Sequence, residues 1–420
     1  MRVLLVNPNT YKKPPVIPLG LEYLLTYLRG AGHNVDVLDL CFSDDPRKEI
    51  DEIFLGKSYD LVGVTIRNVD SSIYFNNQFF LKDIKNIIDM LKGHGVPIVL
   101  GGAGYSAMPS ELLDYFNADF GIEGPGEMIL LRLLEDLEQG KADYTVLNGW
   151  NYSIDTHMVH ERGKDFNYSK YVEGDSVLGF ETQKGCPGGC SYCIEAKTGT
   201  KFKPPEVIVE EIRHLVDLGY HHFHLCDSEF NLDLNRSKAF CRAMIEADLD
   251  MKWALYMKPT PQDDELFALL KDSKVYMITC SISSDKAEQA RCNYDLDDIG
   301  NFVDCCKKHE LGIFFDLLVG FPGEPRASIE EMIEFLRKKQ PNSVGVSFNF
   351  RLFKKTLLTS IVWNDPALRN NFSRKWTKNE NFIKPIFFNQ VDLEYIKSLV
   401  EGDDLFRIEG FQQNVNYQRL

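Results

Sequence analysis

The chain has 420 residues, 44% of them hydrophobic and 26% charged, which supplies one large or two medium cores and argues against a disordered or fibrous protein. Forty-seven Lys and Arg stand against 62 Asp and Glu, a net charge of −15, and no concentrated basic tract follows a phosphate backbone, so no nucleic acid partner is expected. The start reads as a strand rather than a signal peptide, no apolar run reaches about 18 residues, and the ten cysteines are diluted over a long chain. A cytoplasmic protein with reduced thiols and no membrane partner is the expectation.

From residue 1 to about 140, short β-branched runs alternate with amphipathic stretches. Strands are predicted at Arg2–Asn7, Asn34–Asp39, Asp60–Thr65, Val96–Leu100 and Asp119–Ile122, with helices such as Leu19–Arg29 and Phe79–Lys92 between them. This is an α/β pattern, a Rossmann-like parallel sheet that binds ligands at the carboxyl ends of its strands. Those ends read Asn7-Pro8-Asn9-Thr10, Thr65-Ile66-Arg67-Asn68, Gly101-Gly102-Ala103-Gly104-Tyr105 and Gly124-Pro125-Gly126-Glu127. Glycines there let a bulky ligand approach the backbone, although glycine after a strand is also an ordinary turn signal. Residues 141–175 are polar and aperiodic and read as a linker, with His157 and His160 as solvated surface.

From residue 176 the alternation resumes, with strands at Leu178–Thr182, His221–Cys226, Lys252–Leu255, Val275–Ser281, Ile313–Val319 and Val344–Phe348. Six βα units over 176–356 predict an open barrel whose site lies on the rim formed by the carboxyl ends of the strands. Residues 357–420, with Trp363, Trp376 and Phe387, carry no motif and are expected to cap the barrel mouth.

The first of these strands runs into Lys184-Gly185-Cys186-Pro187-Gly188-Gly189-Cys190-Ser191-Tyr192-Cys193. Its C-x3-C-x2-C spacing sets three soft ligands on one tight loop, which suits an iron–sulfur cluster with one iron left without a protein thiolate. A structural zinc site would need a fourth ligand, and His221, His222 or His224 are the candidates, since no second C-x2-C exists. Cys226, Cys280 and the pair Cys305-Cys306 read as packing residues. Asp227-Ser228-Glu229, after the second strand, offers carboxylates to a ligand cation or an N-cap to a helix, a role Asn231 or Asp233 would fill equally. Gly320-Phe321-Pro322-Gly323-Glu324 reads as a sharp turn.

The cysteine loop, with an aromatic before its third cysteine, resembles the signature of the radical S-adenosylmethionine (SAM) enzymes. The order Asn7-Pro8, Pro18-Leu19-Gly20-Leu21, Gly30-Ala31-Gly32-His33, Gly101-Gly102, Gly124-Pro125-Gly126-Glu127 resembles the cobalamin-binding domain that precedes the radical domain in the cobalamin-dependent branch. The chain is most like the C-methyltransferases of that branch. Two departures are visible: Pro125 stands where the family usually has Glu, and the D-x-H-x-x-G pattern that supplies a cobalt-ligating histidine is missing after the first strand. Asp155-Thr156-His157-Met158-Val159-His160, the nearest string, lacks the glycine.

The resemblance implies a Rossmann-like cobalamin-binding domain over 1–140 and a (β/α)6 partial barrel over 176–356. It implies a 4Fe-4S cluster on Cys186, Cys190 and Cys193 and SAM held by Tyr192, Asp227, Ser228, Glu229, Ser281, Ser283 and Arg291, and it identifies no catalytic residue beyond the cluster ligands. Ser283 replaces a family Glu. Cobalamin would be base-off, without a histidine ligand, and would meet Asn7, Thr65, Arg67, Asn68, Gly101, Gly102, Ala103, Gly104, Gly124, Gly126 and Glu127. Arg351 and Thr356 fall in a region that often faces substrate. The implied reaction moves a methyl from SAM through methylcobalamin to an unactivated carbon of a peptide, protein or small molecule, with a low-potential donor such as ferredoxin or flavodoxin. Rearrangement, cyclisation or ring formation is one alternative, and a non-catalytic corrinoid carrier or sensor another, against which the intact cysteine triad argues.

Overall fold

The structure is a computed structural model, described here for residues 1–261, 263–373 and 381–411. Its contacts divide it into one unit of Met1–Ser71 with Gln78–Leu178 and a second of Ser72–Asn77 with Gly179–Leu420. The first unit is built on six strands, β1 Arg2–Asn7, β2 Asn34–Asp39, β3 Leu61–Thr65, β4 Ile98–Gly101, β5 Phe120–Glu123 and β6 Val146–Asn148. They lie in the order β2-β1-β3-β4-β5-β6, all parallel. Val3, Leu4, Leu5 and Val6 of β1 are all buried, as a parallel strand covered on both faces requires. Helices Leu19–Gly30 and Leu81–Lys92 bury Leu21, Leu25 and Leu28, and Ile84, Ile88 and Leu91, at helical spacing. The strand order reverses at β1, between β2 and β3, so the loops after β1 and β3 flank the switch point where such sheets bind ligands.

The expected linker packs into this unit. Its residues supply β6, and Arg162, only 1% exposed, pairs with Glu22 at 2.9 Å while the Tyr168 hydroxyl donates to the same carboxylate at 2.6 Å. His160, expected on the surface, is buried with its ring 4.0 Å from that of Tyr23; His157 is exposed. A three-residue strand and scattered anchors have no periodicity to announce them.

The second unit opens with β7 Leu178–Phe180, followed by an antiparallel pair, β8 Gln183–Lys184 and β9 Lys201–Phe202. Then come β10 His222–Leu225, β11 Lys252–Tyr256, β12 Val275–Ser283, β13 Gly312–Leu318 and β14 Ser343–Ser347. The short strands β15 Phe350–Arg351, β16 Phe372–Ser373 and β17 Phe387–Phe388 form a separate antiparallel sheet, and β18 is Phe406–Ile408. The main sheet runs β18-β14-β13-β12-β11-β10-β7, with the pairs from β10 to β14 and β14 with β18 parallel. All six expected barrel strands are present. The seventh, β18, corrects the reading of residues 357–420 as a cap alone: Phe406 lies in register with Val344, and three residues are too few to show an alternation. In the same stretch the Trp363 ring lies 5.0 Å from that of Phe382, while Trp376 lies outside the described residues.

Candidate active site

The paired strands β8 and β9 close the base of the cysteine loop, with Lys184 opposite Lys201. Inside it, Cys186 N–H is bonded to Thr198 Oγ1 at 2.8 Å, Thr198 N–H returns to the Cys186 carbonyl at 3.0 Å, and Ser191 N–H donates to the buried Glu288 carboxylate at 2.6 Å. The loop therefore holds its shape through its own polar groups and through Glu288, on the short helix Lys286–Arg291. Each cysteine sulfur accepts one nitrogen donor: Gly188 N–H to Cys186 at 3.4 Å, Lys258 Nζ to Cys190 at 3.2 Å, and Glu195 N–H to Cys193 at 3.4 Å. Three thiols, each facing a donor that stabilises a thiolate, fit an iron–sulfur cluster.

Cys292, unremarked in the sequence, places its sulfur 3.3 Å from that of Cys190. The bond with Cys292 and the Lys258 ammonium bring the Cys190 thiol down to about 6, whereas its partner Cys292 is pushed up. Burial raises Cys186, and raises Cys193 to about 12, so metal binding must displace protons there. Zinc is disfavoured by position. His221 and His222 stand exposed at the amino end of β10, away from the rim, and burial drops the imidazolium of His224 to about 4.

The remaining rim residues divide by what already occupies them. Asp227, just past β10, is neither an N-cap nor a free acid: its carboxylate accepts Thr182 N–H at 2.8 Å, Gln183 N–H at 3.2 Å and the Thr182 hydroxyl. This capture explains why β7 stops at Phe180 rather than at Thr182, and it aims the chain into the cysteine loop. Burial lifts the Asp227 carboxyl to about 7 against those bonds. Asp233 is the true cap, of helix Leu234–Ala247. The Ser228 hydroxyl donates to Glu195 at 2.5 Å. Glu229 differs from both. It is 9% exposed, its Oε2 has no hydrogen-bond partner, and burial pushes its carboxyl up to about 8 despite Lys258 nearby.

Ser281 and Ser283 lie on one face of β12; the Ser283 hydroxyl accepts Asp285 N–H at 3.0 Å and its carbonyl accepts Gln289 Nε2 at 2.7 Å. Arg291 is exposed, 3.3 Å from Glu288. The Tyr192 ring packs beside Phe321 and Phe350. Glu324 accepts Gly320 N–H at 2.6 Å and Phe321 N–H at 3.0 Å, closing the expected sharp turn. Arg351 donates to the carbonyls of Phe382 and Ile383, and Thr356 caps helix Leu357–Asn364, so both serve the local fold.

In the first unit, Asn7 is buried and donates to Asp39 at 2.8 Å, joining the ends of β1 and β2. Gly102, at φ +98°, would bring a Cβ within 2.7 Å of the Ile66 carbonyl, and Gly104 would meet Arg67 and Asn68 at 2.9 Å. These two glycines let the loop after β4 lie directly on the loop after β3, so a close approach of backbone to backbone accounts for them. Gly124 lies under the Trp150 indole and Gly126 against Leu24. Glu127 is buried at the start of helix Glu127–Glu138. What faces outward is Thr65 in part, Arg67, Asn68 and Ala103, beside Gly101, whose Cβ position meets nothing within 4 Å. An open edge of this kind at the switch point fits a large ligand.

Comparison with known proteins matches both halves of this description. A sequence model of the Radical SAM superfamily fits residues 180–336, and one of the B12 binding domain fits residues 12–134. Tryptophan 2-C-methyltransferase of Streptomyces laurentii is 26% identical, over 83% of this chain and 72% of its own. Cytidylyl-2-hydroxyethylphosphonate methyltransferase of Streptomyces wedmorensis is 24% identical, over 79% and 75%. Among solved structures, the radical S-adenosylmethionine methyltransferase TsrM from Kitasatospora setae, with cobalamin and a 4Fe-4S cluster bound, matches at a TM-score of 0.79 and 26% identity, over 86% of this chain and 74% of that one. The chain carries a B12-binding domain followed by a radical SAM domain, and it is close to the cobalamin-dependent radical SAM methyltransferases.

Proposed function

We propose that this enzyme transfers a methyl group from SAM, by way of cobalamin, to an unactivated carbon of its substrate. The observation that carries the proposal is the cysteine loop, in which each of three thiols faces a nitrogen donor, on a chain that also has a B12-binding domain. Cys186, Cys190 and Cys193 hold the cluster. Glu229, a buried carboxylate with an unused oxygen, takes the SAM ammonium, since a cation there relieves the penalty of burying the acid. Asp227 and Glu288 orient the loop rather than touch SAM, and Arg291 meets the SAM carboxylate in this reading. When bound, the cluster supplies one electron for SAM cleavage and cobalamin carries the methyl group.

Arg67, Asn68, Gly101 and Ala103 border the cobalamin in this reading, and Asn9 and Thr10 in place of a histidine support a base-off cofactor. A relative whose structure holds tryptophan as substrate supports a small-molecule acceptor over a peptide or protein. The electron source is a low-potential ferredoxin or flavodoxin. No helix among the described residues is long and apolar enough to cross a membrane, and a cytoplasmic site of action suits the ten free thiols.

The test is anaerobic reconstitution with iron and sulfide followed by dithionite and SAM. About four irons per chain and 5′-deoxyadenosine are expected. Both should vanish when Cys186, Cys190 and Cys193 become Ala, and a triple variant that kept its iron would defeat the assignment.

A further inference from the structure

Lys258 is the least expected charge at this site. It lies two residues past β11, is 7% exposed, and has its main chain clamped by one side chain: Lys258 N–H donates to Asn231 Oδ1 at 3.0 Å and its carbonyl accepts Asn231 Nδ2 at 2.8 Å. So anchored, its ammonium reaches Cys190 Sγ at 3.2 Å. The same ammonium also lies within electrostatic reach of Cys186. A Cβ on Gly188 would stand 3.0 Å from Lys258 Nζ and 3.1 Å from Cys186 Sγ, so the glycine leaves the space in which the cation approaches two of the three cysteines. A Cβ on Gly189 next to it would stand 3.1 Å from the Arg291 carbonyl. Gly188 thus admits a cation that follows β11, 68 residues beyond Cys190.

A buried cation needs negative charge close by, and here the hydrogen-bonded partner is sulfur rather than a carboxylate, with Glu229 in electrostatic reach. A thiolate-ligated cluster supplies that charge. Adding an electron makes the cluster one unit more negative, and a fixed ammonium favours the reduced state over the oxidised one, in the way hydrogen bonds to cluster sulfurs do. We infer that Lys258 is a positioning residue that raises the cluster's reduction potential through Cys190, an inference that rests on the cluster assignment above.

The experiment is a redox titration of anaerobic holoprotein, followed by electron paramagnetic resonance of the reduced cluster, in wild type, Lys258→Met and Lys258→Arg. Lys258→Met should keep about four irons per chain. Its ratio of reduced to oxidised cluster at a fixed potential should fall at least tenfold, about 59 mV for one electron. Lys258→Arg, which keeps the charge, should stay within about threefold of wild type, a shift of under about 30 mV. A Lys258→Met protein with full iron and the wild-type potential overturns the inference. If that variant loses its iron, wild-type protein carrying lysine labelled with 15N at Nζ decides the matter. A 15N coupling to the reduced cluster, lost in Lys258→Arg, supports the contact, and no coupling refutes it. Iron retained by the triple cysteine variant would instead overturn the cluster assignment, so the two failures are distinguishable.

Discussion

The sulfur of Cys292 lies 3.3 Å from the sulfur of Cys190, across 102 residues of sequence. Cluster thiolates diverge toward separate irons, and two sulfurs this close do not suit separate corners of one cluster. On the proposed cluster assignment, Cys292 donates to a ligand rather than serving as one. Cys292→Ser should retain about four irons per chain, whereas Cys190→Ser should lose most of its cluster. Iron and sulfide assays on the two variants make the comparison, and equal loss from both would make Cys292 a ligand.

The Asp227 carboxylate holds Thr182 and Gln183 just before the loop. Replacing it with Ala leaves two buried N–H groups unpaired, at about 1–3 kcal/mol for each group. Asp227→Ala should lower the stability of cluster-free protein by a few kcal/mol in urea and cut iron retention. Asp227→Asn, which keeps one acceptor oxygen, should lose less. Equal behaviour of the two variants would argue that the carboxylate does not orient the loop.

Glu229 makes stability depend on pH in a direction set by burial. Its carboxyl rises from the ordinary 4.5 to about 8, so the folded protein holds this proton more tightly than the unfolded chain. The stability it contributes is complete below the unfolded value and is lost as pH climbs through the folded one. In cluster-free protein, the melting temperature of Glu229→Gln should gain on wild type between about pH 5 and about pH 9. The same variant should bind SAM more weakly. A difference independent of pH would mean that the carboxylate ionises without penalty.

Arg162 and Glu22 form an ion pair inside the first unit, with the Tyr168 hydroxyl completing it. Arg162→Met strands the Glu22 charge and should cost about 3–5 kcal/mol in chemical denaturation. Combining it with Glu22→Gln should recover part of that loss, because no uncompensated charge remains. Additive losses would place the pair outside one energetic unit.

The regular strands were legible because burial imposes a pattern: Arg2–Asn7 and Asn34–Asp39 carry runs of Val and Leu, and their predicted limits match the observed strands. The cysteine triad was legible because its ligands share one short loop. Lys258, Glu288 and Cys292 were not, because they reach the loop from two segments far along the chain, Lys258 after β11 and Glu288 with Cys292 on and just past helix Lys286–Arg291, and none has a local signature. The glycines after β4 carry a signal with two meanings. Glycine after a strand makes room for a ligand or for a neighbouring backbone alike, and Gly102 and Gly104 make room for the loop after β3. Residues 141–175 look like a linker in sequence because their order comes from single anchors such as Arg162 and Tyr171, without a repeating face.

Methyl transfer by way of cobalamin is tested most directly without knowing the substrate. Anaerobic holoenzyme carrying cluster and reduced cobalamin is mixed with SAM labelled with 13C in its methyl group, and the protein-bound cobalamin is extracted. The label should appear on cobalamin, with one S-adenosylhomocysteine formed per labelled cofactor. Unlabelled cobalamin alongside consumed SAM would contradict the methyltransferase reading and favour rearrangement or cyclisation chemistry at the same cluster.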